Sequence, residues 1–322
     1  MKLLLVGNFG VGNLGDEALR QYFVTRFSDV DWTIVSANPS GTREVPRLPL
    51  GFRSFRQPWG KTLQAYRQAE GVVFGGGSLL TDTESTLACI LWWLHAVVAR
   101  IYGKPVFLAF QGIGPFRSAF GEWFARSTAR MAQFVSVRDE FSLKRVQQWG
   151  IADVVLTFDP VLKIIEPHLA TSDQSKLTIA LIPRSNSKGE FIERMKEVLQ
   201  GKHPDEVRII SLQHDHPREC KLCDELPEQL GMPCTCRAVH TLQELADALT
   251  GVSYVLTERY HGGIAAIGLG IPFGMVVQSP EDKLSALKMY ESGSHRLDSL
   301  ALVQWGEEEL REALRILEKT PD

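Results

Sequence analysis

The 322-residue chain predicts an α/β fold of two Rossmann-like, doubly wound domains facing a cleft. Three observations predict it. Short apolar runs alternate with helix-length amphipathic segments along almost the whole chain, the pattern of parallel sheets covered by helices on both faces. The length has room for two domains of about 150 residues each. Glycine-rich or charged clusters follow the apolar runs again and again, where open α/β sheets bind ligands.

The first run, residues 3–6, is Leu-Leu-Leu-Val and reads as a buried parallel strand. The loop after it carries Gly7, Gly10, Gly12 and Gly15 before a helix opens at Asp16 and Glu17. A second strand spans 32–36. Residues 42–58 follow, holding Arg43, Arg47, Arg53 and Arg56 with little periodicity, and read as a loop. Then come a helix at 61–69, a strand at 72–74, a long apolar helix at 87–102, a strand at 106–110, a helix at 123–132, a strand at 134–137 and a helix at 140–149. These make a first domain, residues 1–165. Residues 166–175 are polar and serve as a linker. A second domain, 176–322, repeats the alternation: strands at 177–182, 207–211, 254–256 and 273–277, with helices at 190–199, 241–249, from 262, at 281–290 and at 307–318.

Gly10-Val11-Gly12-Asn13-Leu14-Gly15 satisfies the spacing of a dinucleotide loop, but its context does not fit one. Asp16 and Glu17 occupy the helix turn whose bare amides would hold a pyrophosphate, and the second strand runs into Ala37-Asn38-Pro39 without the carboxylate a ribose needs. Carboxylates and an asparagine beside a glycine turn suit neutral sugar hydroxyls better; the plainer alternative is that Asp16 caps the helix.

The other clusters are Gly75-Gly76-Gly77-Ser78, Gln111-Gly112-Ile113-Gly114-Pro115, Arg138-Asp139, Gln213-His214-Asp215 and Glu258-Arg259-Tyr260-His261-Gly262-Gly263. Glycines at such points let a ligand approach the backbone.

A net charge of −3 offers no general footprint for nucleic acid. No secretion signal or membrane-spanning run is visible, and five cysteines, an odd number, suit a reducing cytoplasm. Cys220, Cys223, Cys234 and Cys236, downstream of His214 and His216, have spacings a zinc ion could use, but free thiols are the leading reading and no metal is expected.

Taken together, Gly12-Asn13-Leu14-Gly15-Asp16-Glu17, Gly75-Gly76-Gly77-Ser78-Leu79-Leu80, Phe110-Gln111-Gly112-Ile113-Gly114-Pro115, Val137-Arg138-Asp139-Glu140-Phe141-Ser142 and Glu258-Arg259-Tyr260-His261-Gly262 resemble the polysaccharide pyruvyl transferase family. The motifs run in order from Gly7 to about Lys283; the Cys220–Cys236 segment has no place in that pattern. The resemblance implies a glycosyltransferase-B-like architecture and a transferase that moves the pyruvyl group of phosphoenolpyruvate onto two sugar hydroxyls, leaving a ketal and releasing phosphate. It implies no cofactor beyond that donor and a cell-surface polysaccharide or lipid-linked glycan as acceptor, as in cell-wall glycans that anchor surface layers. The expected location is the cytoplasm, with the lipid-linked acceptor bringing the enzyme to the inner face of the membrane.

Phosphoenolpyruvate carries a carboxylate and a phosphate, so its pocket needs cations. Arg138, Arg259 and Lys283, with Gly262 and Gly263, are the expected donor-binding residues; the plain reading of Arg138 is a salt bridge to Asp139. His261 is the expected proton donor, because imidazole titrates near neutrality. Asp16 or Glu17 would act as base. Gly12, Asn13, Gly75, Gly76, Gly77, Ser78, Gln111, Gly112 and Asp215 would line the acceptor side or the cleft. Two other classes stay open: a nucleotide-sugar-dependent glycosyltransferase using the same cations on a diphosphate, and a non-catalytic glycan-binding module.

Overall fold

The computed structural model describes residues 1–50, 57–83, 85–165, 176–187, 189–213, 217–230, 234–279, 282–291 and 295–319. The chain divides into two compact units, Met1–Pro160 with Ala301–Asp322, and Val161–Leu300.

The first unit holds a seven-stranded sheet in the order β3-β2-β1-β4-β5-β6-β7. Its strands are β1 (Lys2–Phe9), β2 (Asp31–Ser36), β3 (Glu44–Pro46), β4 (Gly71–Leu80), β5 (Val106–Ile113), β6 (Phe134–Val137) and β7 (Val155–Leu156). Five helices connect them: α1 (Leu14–Arg26), α2 (Gly60–Gln68), α3 (Thr86–Ile101), α4 (Ala119–Met131) and α5 (Glu140–Gln148). All pairings are parallel. The central strands are apolar over their first halves because helices cover both faces, and Leu4, Val6, Val72, Phe74, Val106 and Leu108 are wholly buried.

The helices start where side chains cap them. Asn13 accepts from the amides of Gly15 and Asp16, Ser118 from Gly121, and Asp139 from Ser142. His95, on α3, lies in the core at 0% exposure. Leu48 N donates to its Nε2 at 3.3 Å, so Nδ1 carries the proton towards Tyr66 Oη at 2.6 Å, and the tyrosine in turn donates to the His95 carbonyl at 3.1 Å.

Burial, with Arg47 nearby, pushes the His95 pKa down to about 3. The unfolded chain therefore takes up a proton that the folded chain excludes, and stability is lost as pH falls from roughly 6.5 towards 3. Urea unfolding at stepped pH is expected to show a slope of about 1.4 kcal/mol per pH unit from this group in that window. The slope disappears in His95→Gln. An unchanged slope would put the acid sensitivity elsewhere.

The second unit holds five parallel strands in the order β10-β9-β8-β11-β12. They are β8 (Thr178–Ile182), β9 (Glu206–Ser211), β10 (Cys234–Ala238), β11 (Tyr254–Thr257) and β12 (Phe273–Met275). The helices are α6 (Leu162–Ile165), α7 (Gly189–Lys202), α8 (Pro217–Leu230), α9 (Leu242–Ala248) and α10 (Tyr260–Leu269), followed by a 3-10 helix at Lys283–Tyr290 and α11 (Arg296–Leu314).

Several expectations are corrected. The final helix begins at Arg296, well before residue 307, and its later part packs into the first unit. Glu307 accepts from Tyr22 Oη at 2.8 Å and from Arg26 Nε and Nη2 at 3.0 and 2.7 Å, and a Cβ on Gly306 would stand 2.7 Å from the Phe110 ring. The second domain therefore does not extend to residue 322. Residues 44–46, read as loop, form an edge strand on β2. Helix α8 and strand β10 form over the cysteine segment, where the alternation above places no element. The segment 166–175 lies outside the described residues.

Candidate active site

In both units the first strand of the sheet is flanked by the second and the fourth. The chain winds one way and then returns to the other side, so a crevice opens at the carboxyl ends of β1 and β4, and of β8 and β11, the place where open parallel sheets bind ligands.

At the β1/β4 point, Asn8 Nδ2 donates to Asp16 Oδ2 at 2.8 Å. Glu17 Oε1 accepts from the Gly10 amide at 2.6 Å, and Oε2 stands 3.4 Å from Arg20 Nη1. Glu17 thus closes the glycine loop onto the helix that follows it, while Asn13, expected on the acceptor side, is the cap of α1. Gly12 is exposed at a φ of +75° with open space around it, so it serves the turn.

Gly75 to Ser78 and Gln111 to Ile113 are not loops after strands but lie within β4 and β5. Gly75 is a packing residue, since a Cβ there would lie 2.7 Å from Leu5 Cδ1. Gly76 and Gly77, with φ of +80° and +83°, bend the strand, and a Cβ on Gly77 would stand 3.2 Å from Asp16 Oδ1. Gln111 is fully buried; its Nε2 donates to the carbonyls of Phe74 and Ala109 at 2.9 and 3.0 Å, and its buried Oε1 has no hydrogen-bond partner among the described residues.

Arg138 is 4% exposed. Its Nη1 meets Asp159 Oδ2 at 2.6 Å and its Nη2 donates to Ser78 Oγ at 2.8 Å. The buried partner is Asp159, 21 residues away, and not Asp139, which caps α5. Gly112 lacks a side chain because Arg138 lies against it: a Cβ would be 2.8 Å from Arg138 Nε. Ser142 of the same motif accepts from the Ile113 amide at 2.8 Å. The V-R-D-E-x-S pattern therefore joins β5, β6 and α5 through three different contacts.

Arg47 was not singled out among the four arginines of residues 42–58. Strand β3 brings it to this site. Its Nη2 donates to Asn8 Oδ1 at 3.0 Å and to the Phe9 carbonyl at 3.1 Å, and its guanidinium carbon stands 5.2 Å from the centre of the Trp92 ring. Burial lowers its pKa, opposed by the charges of Asp16 and Glu17. A three-residue edge strand leaves too short a pattern to read in a sequence.

At the β8/β11 point, Glu258 is 1% exposed and ties three loops together. It accepts from the Arg184 amide at 3.1 Å, from Ser187 Oγ, and from Gln278 Nε2 at 3.2 Å. Arg184 pairs with Asp282 at 3.0 Å, which fixes the start of the helix bearing Lys283; Lys283 Nζ lies 5.8 Å from the centre of the Tyr260 ring. Arg259 donates through Nε to the Pro183 carbonyl at 3.2 Å and through Nη2 to Gln213 Oε1 at 3.0 Å and to Glu219 Oε2. Burial lowers its pKa, with Glu219 acting in the opposite direction, and an arginine so placed keeps its charge.

His261 stands in the first turn of α10 directly after Arg259 and Tyr260, half-buried, with its ring edge-on to Tyr260 at 5.5 Å. Gly262 and Gly263 are buried packing positions: a Cβ would lie 2.5 Å from Thr257 Oγ1 at the first and 2.7 Å from Leu287 Cδ1 at the second. The structure thus brings Arg259, His261 and Lys283 to one end of one sheet, beside the positive end of a helix. His214, Asp215 and His216 lie outside the described residues.

Glu219 was also missed. It is 0% exposed, and its Oε1 accepts from Ser211 Oγ, Leu212 N and Gln213 N at 3.0, 2.9 and 2.9 Å while Oε2 takes Arg259. Glu219→Gln puts an amide nitrogen among these donors and removes the charge facing Arg259. It is expected to lower unfolding free energy by about 2 kcal/mol in urea titration; no change would show that the carboxylate is dispensable. Its position on α8, 40 residues from Arg259, left no signal in the sequence.

Among the described residues no group of three or more His, Cys, Asp or Glu side chains is placed to hold a metal ion. The Cys236 thiol is drawn below its ordinary pKa by a hydrogen bond with Cys223.

The model of the family described as polysaccharide pyruvyl transferase matches residues 13–280. The chain belongs to that family. No curated protein matches it closely enough in sequence to count as a relative. Among solved structures this family member is similar to Anabaena HepE in complex with UDP and glucose (12% identity, TM-score 0.62, covering 98% of this chain and 99% of that one). It is similar also to the UDP-N-acetylglucosamine 2-epimerase of Rickettsia bellii (13%, 0.59, 99% and 97%) and to the UDP-GlcNAc 2-epimerase of Neisseria meningitidis bound to UDP-GlcNAc (11%, 0.54, 95% and 94%). At such identities the likeness extends to the fold, two Rossmann-like domains of the glycosyltransferase-B type. No helix among the described residues is long and apolar enough to cross a membrane.

Proposed function

We propose that this polysaccharide pyruvyl transferase takes the pyruvyl group from phosphoenolpyruvate and leaves it as a ketal on two hydroxyls of a cell-surface glycan or its lipid-linked precursor. The observation that carries the reading is the cluster at the β8/β11 point: two cations, Arg259 and Lys283, a histidine between them in sequence, and the amino end of α10. That combination suits a small ligand with a carboxylate and a phosphate.

In the reaction His261 delivers a proton to the methylene carbon of the enol, which becomes the methyl group. The central carbon, now cationic in character, is attacked by one hydroxyl and, after phosphate departs, by the second. The two hydroxyl protons account for the third methyl hydrogen and for the proton on the released phosphate. Within the first unit, Asp16, held by Asn8 beside Gly77, is a carboxylate that can accept a proton from a sugar hydroxyl, whereas Glu17 orders the loop. Asn8 and Arg47 orient the sugar.

A donor screen tests this. Phosphoenolpyruvate with a panel of lipid-linked and synthetic glycans is expected to yield phosphate and a pyruvylated product of raised mass. Turnover with a sugar nucleotide in its place would identify a glycosyltransferase, and binding without turnover of either donor a glycan-binding module.

A further inference from the structure

Helices α3 and α4 present an apolar surface to solvent that the reaction does not use. Leu87, Phe120 and Trp123 are 61%, 57% and 54% exposed, and Ile90 and Trp93 beside them are half-buried. The aromatic rings support one another: Trp93 lies 6.2 Å from Trp123 and 5.0 Å from Phe124, and Phe120 stands edge-on to Phe124 at 4.7 Å. Trp93 Nε1 donates to Ser127 Oγ at 3.1 Å, which locks the two helices together beneath the patch. Two large aromatic side chains held half in water on a rigid base are not the remainder of a core.

The exposed charge around the patch is mainly positive, the buried Asp82 being taken up by Ser118 and the Arg117 amide at the start of α4. Residues 86–131 contain Arg100, Lys104, Arg117, Arg126 and Arg130 against a single acid, Glu122, in a chain whose net charge is −3. Glu122 is turned to the Trp149 indole, from which it accepts at 2.9 Å. Arg100, Arg117, Arg126 and Arg130 are exposed. On α4 the outward positions run Phe120, Trp123 and Arg126, so aromatic and cationic groups share one stripe, while Arg130, like Glu122, is turned to Trp149, its Nη2 donating to the Trp149 carbonyl at 2.9 Å. A second copy seated on this face about a two-fold axis would set arginines against arginines, whereas an anionic lipid surface complements both the charge and the aromatic rings.

We infer that the α3/α4 face docks this protein on an anionic bilayer, with Phe120 and Trp123 entering the headgroup region and the arginines pairing with lipid phosphates. The amino ends of α3 and α4 lie at the carboxyl edge of the first sheet, the edge that carries Asn8, Asp16 and Gly77. On the reading of a lipid-linked acceptor, docking here holds that edge near the membrane; the docking itself does not depend on that reading.

Sedimentation with vesicles tests it without donor, acceptor or turnover, so its outcome is separate from that of the donor screen. The full chain is expected to sediment with vesicles of phosphatidylcholine and phosphatidylglycerol, not with phosphatidylcholine alone, and to be released by salt. Phe120→Ser with Trp123→Ser is expected to weaken partitioning on the order of tenfold, and Arg117→Glu with Arg126→Glu to abolish the preference for anionic lipid. All four side chains are exposed, and unchanged thermal unfolding of each variant confirms that the fold is kept. The proposal is overturned by wild-type protein that stays in the supernatant, by equal sedimentation with both vesicle types, or by variants that bind as the wild type does. It is equally overturned by a concentration-dependent dimer in light scattering that the Phe120→Ser, Trp123→Ser protein loses, which would make the face a contact between copies.

Discussion

His261→Gln is expected to bind phosphoenolpyruvate as the wild type does and to turn over at least about a hundredfold more slowly, the usual loss when a general acid is removed. Glutamine keeps a hydrogen-bond donor of similar reach but has no proton to give near neutral pH. The geometry supports the separation of binding from catalysis. Arg259 is held by Pro183, Gln213 and Glu219, and none of these contacts passes through His261. Donor titration and single-turnover kinetics on the same variant therefore read two different things. Normal turnover would reduce His261 to a binding residue.

Arg138→Ala is expected to destabilise the first unit by about 3–5 kcal/mol, the cost of leaving one member of a buried ion pair without the other. Asp159 is 0% exposed and meets Arg138 at 2.6 Å, while Ser78 Oγ accepts from the second nitrogen of the fork. Urea unfolding of Arg138→Ala measures the loss, and Arg138→Ala with Asp159→Ala, which removes both charges, is expected to recover part of it. An Arg138→Ala protein as stable as the wild type would mean that the pair is dispensable. The comparison also governs how donor binding is interpreted: weakened affinity in Arg138→Ala reports a donor contact only if the unfolding curve is unchanged.

Much of this architecture is readable from local chemistry. Apolar runs such as Val106 to Phe110 and the 3.6-residue periods between them depend on neighbours a few positions away, so strand, helix and their alternation are written in any short window. The caps are local too, since Asn13, Ser118 and Asp139 each satisfy an amide within three residues, but which of several polar neighbours does so is not: Asn13 and not Asp16 caps α1. A glycine that faces a ligand and one that makes room for a neighbour are the same letter. Gly75 yields to Leu5, Gly112 to Arg138 and Gly262 to Thr257, and only the packed chain shows which neighbour is present.

By its own order of residues the sequence determined two parallel α/β halves, the family motifs and the positions after β1, β8 and β11 where charged groups gather, because these rest on periodicity and on short contiguous patterns. Tertiary structure alone decided the partners across distance: Asp159 for Arg138, Glu219 for Arg259, Arg47 for Asn8, and Glu307 for Tyr22 and Arg26, which draws the last helix back to the first unit. Each of these contacts joins residues from 21 to 285 positions apart. A buried charge must be met by whichever polar group the fold brings to it, and that choice belongs to the sheet order rather than to any stretch of chain.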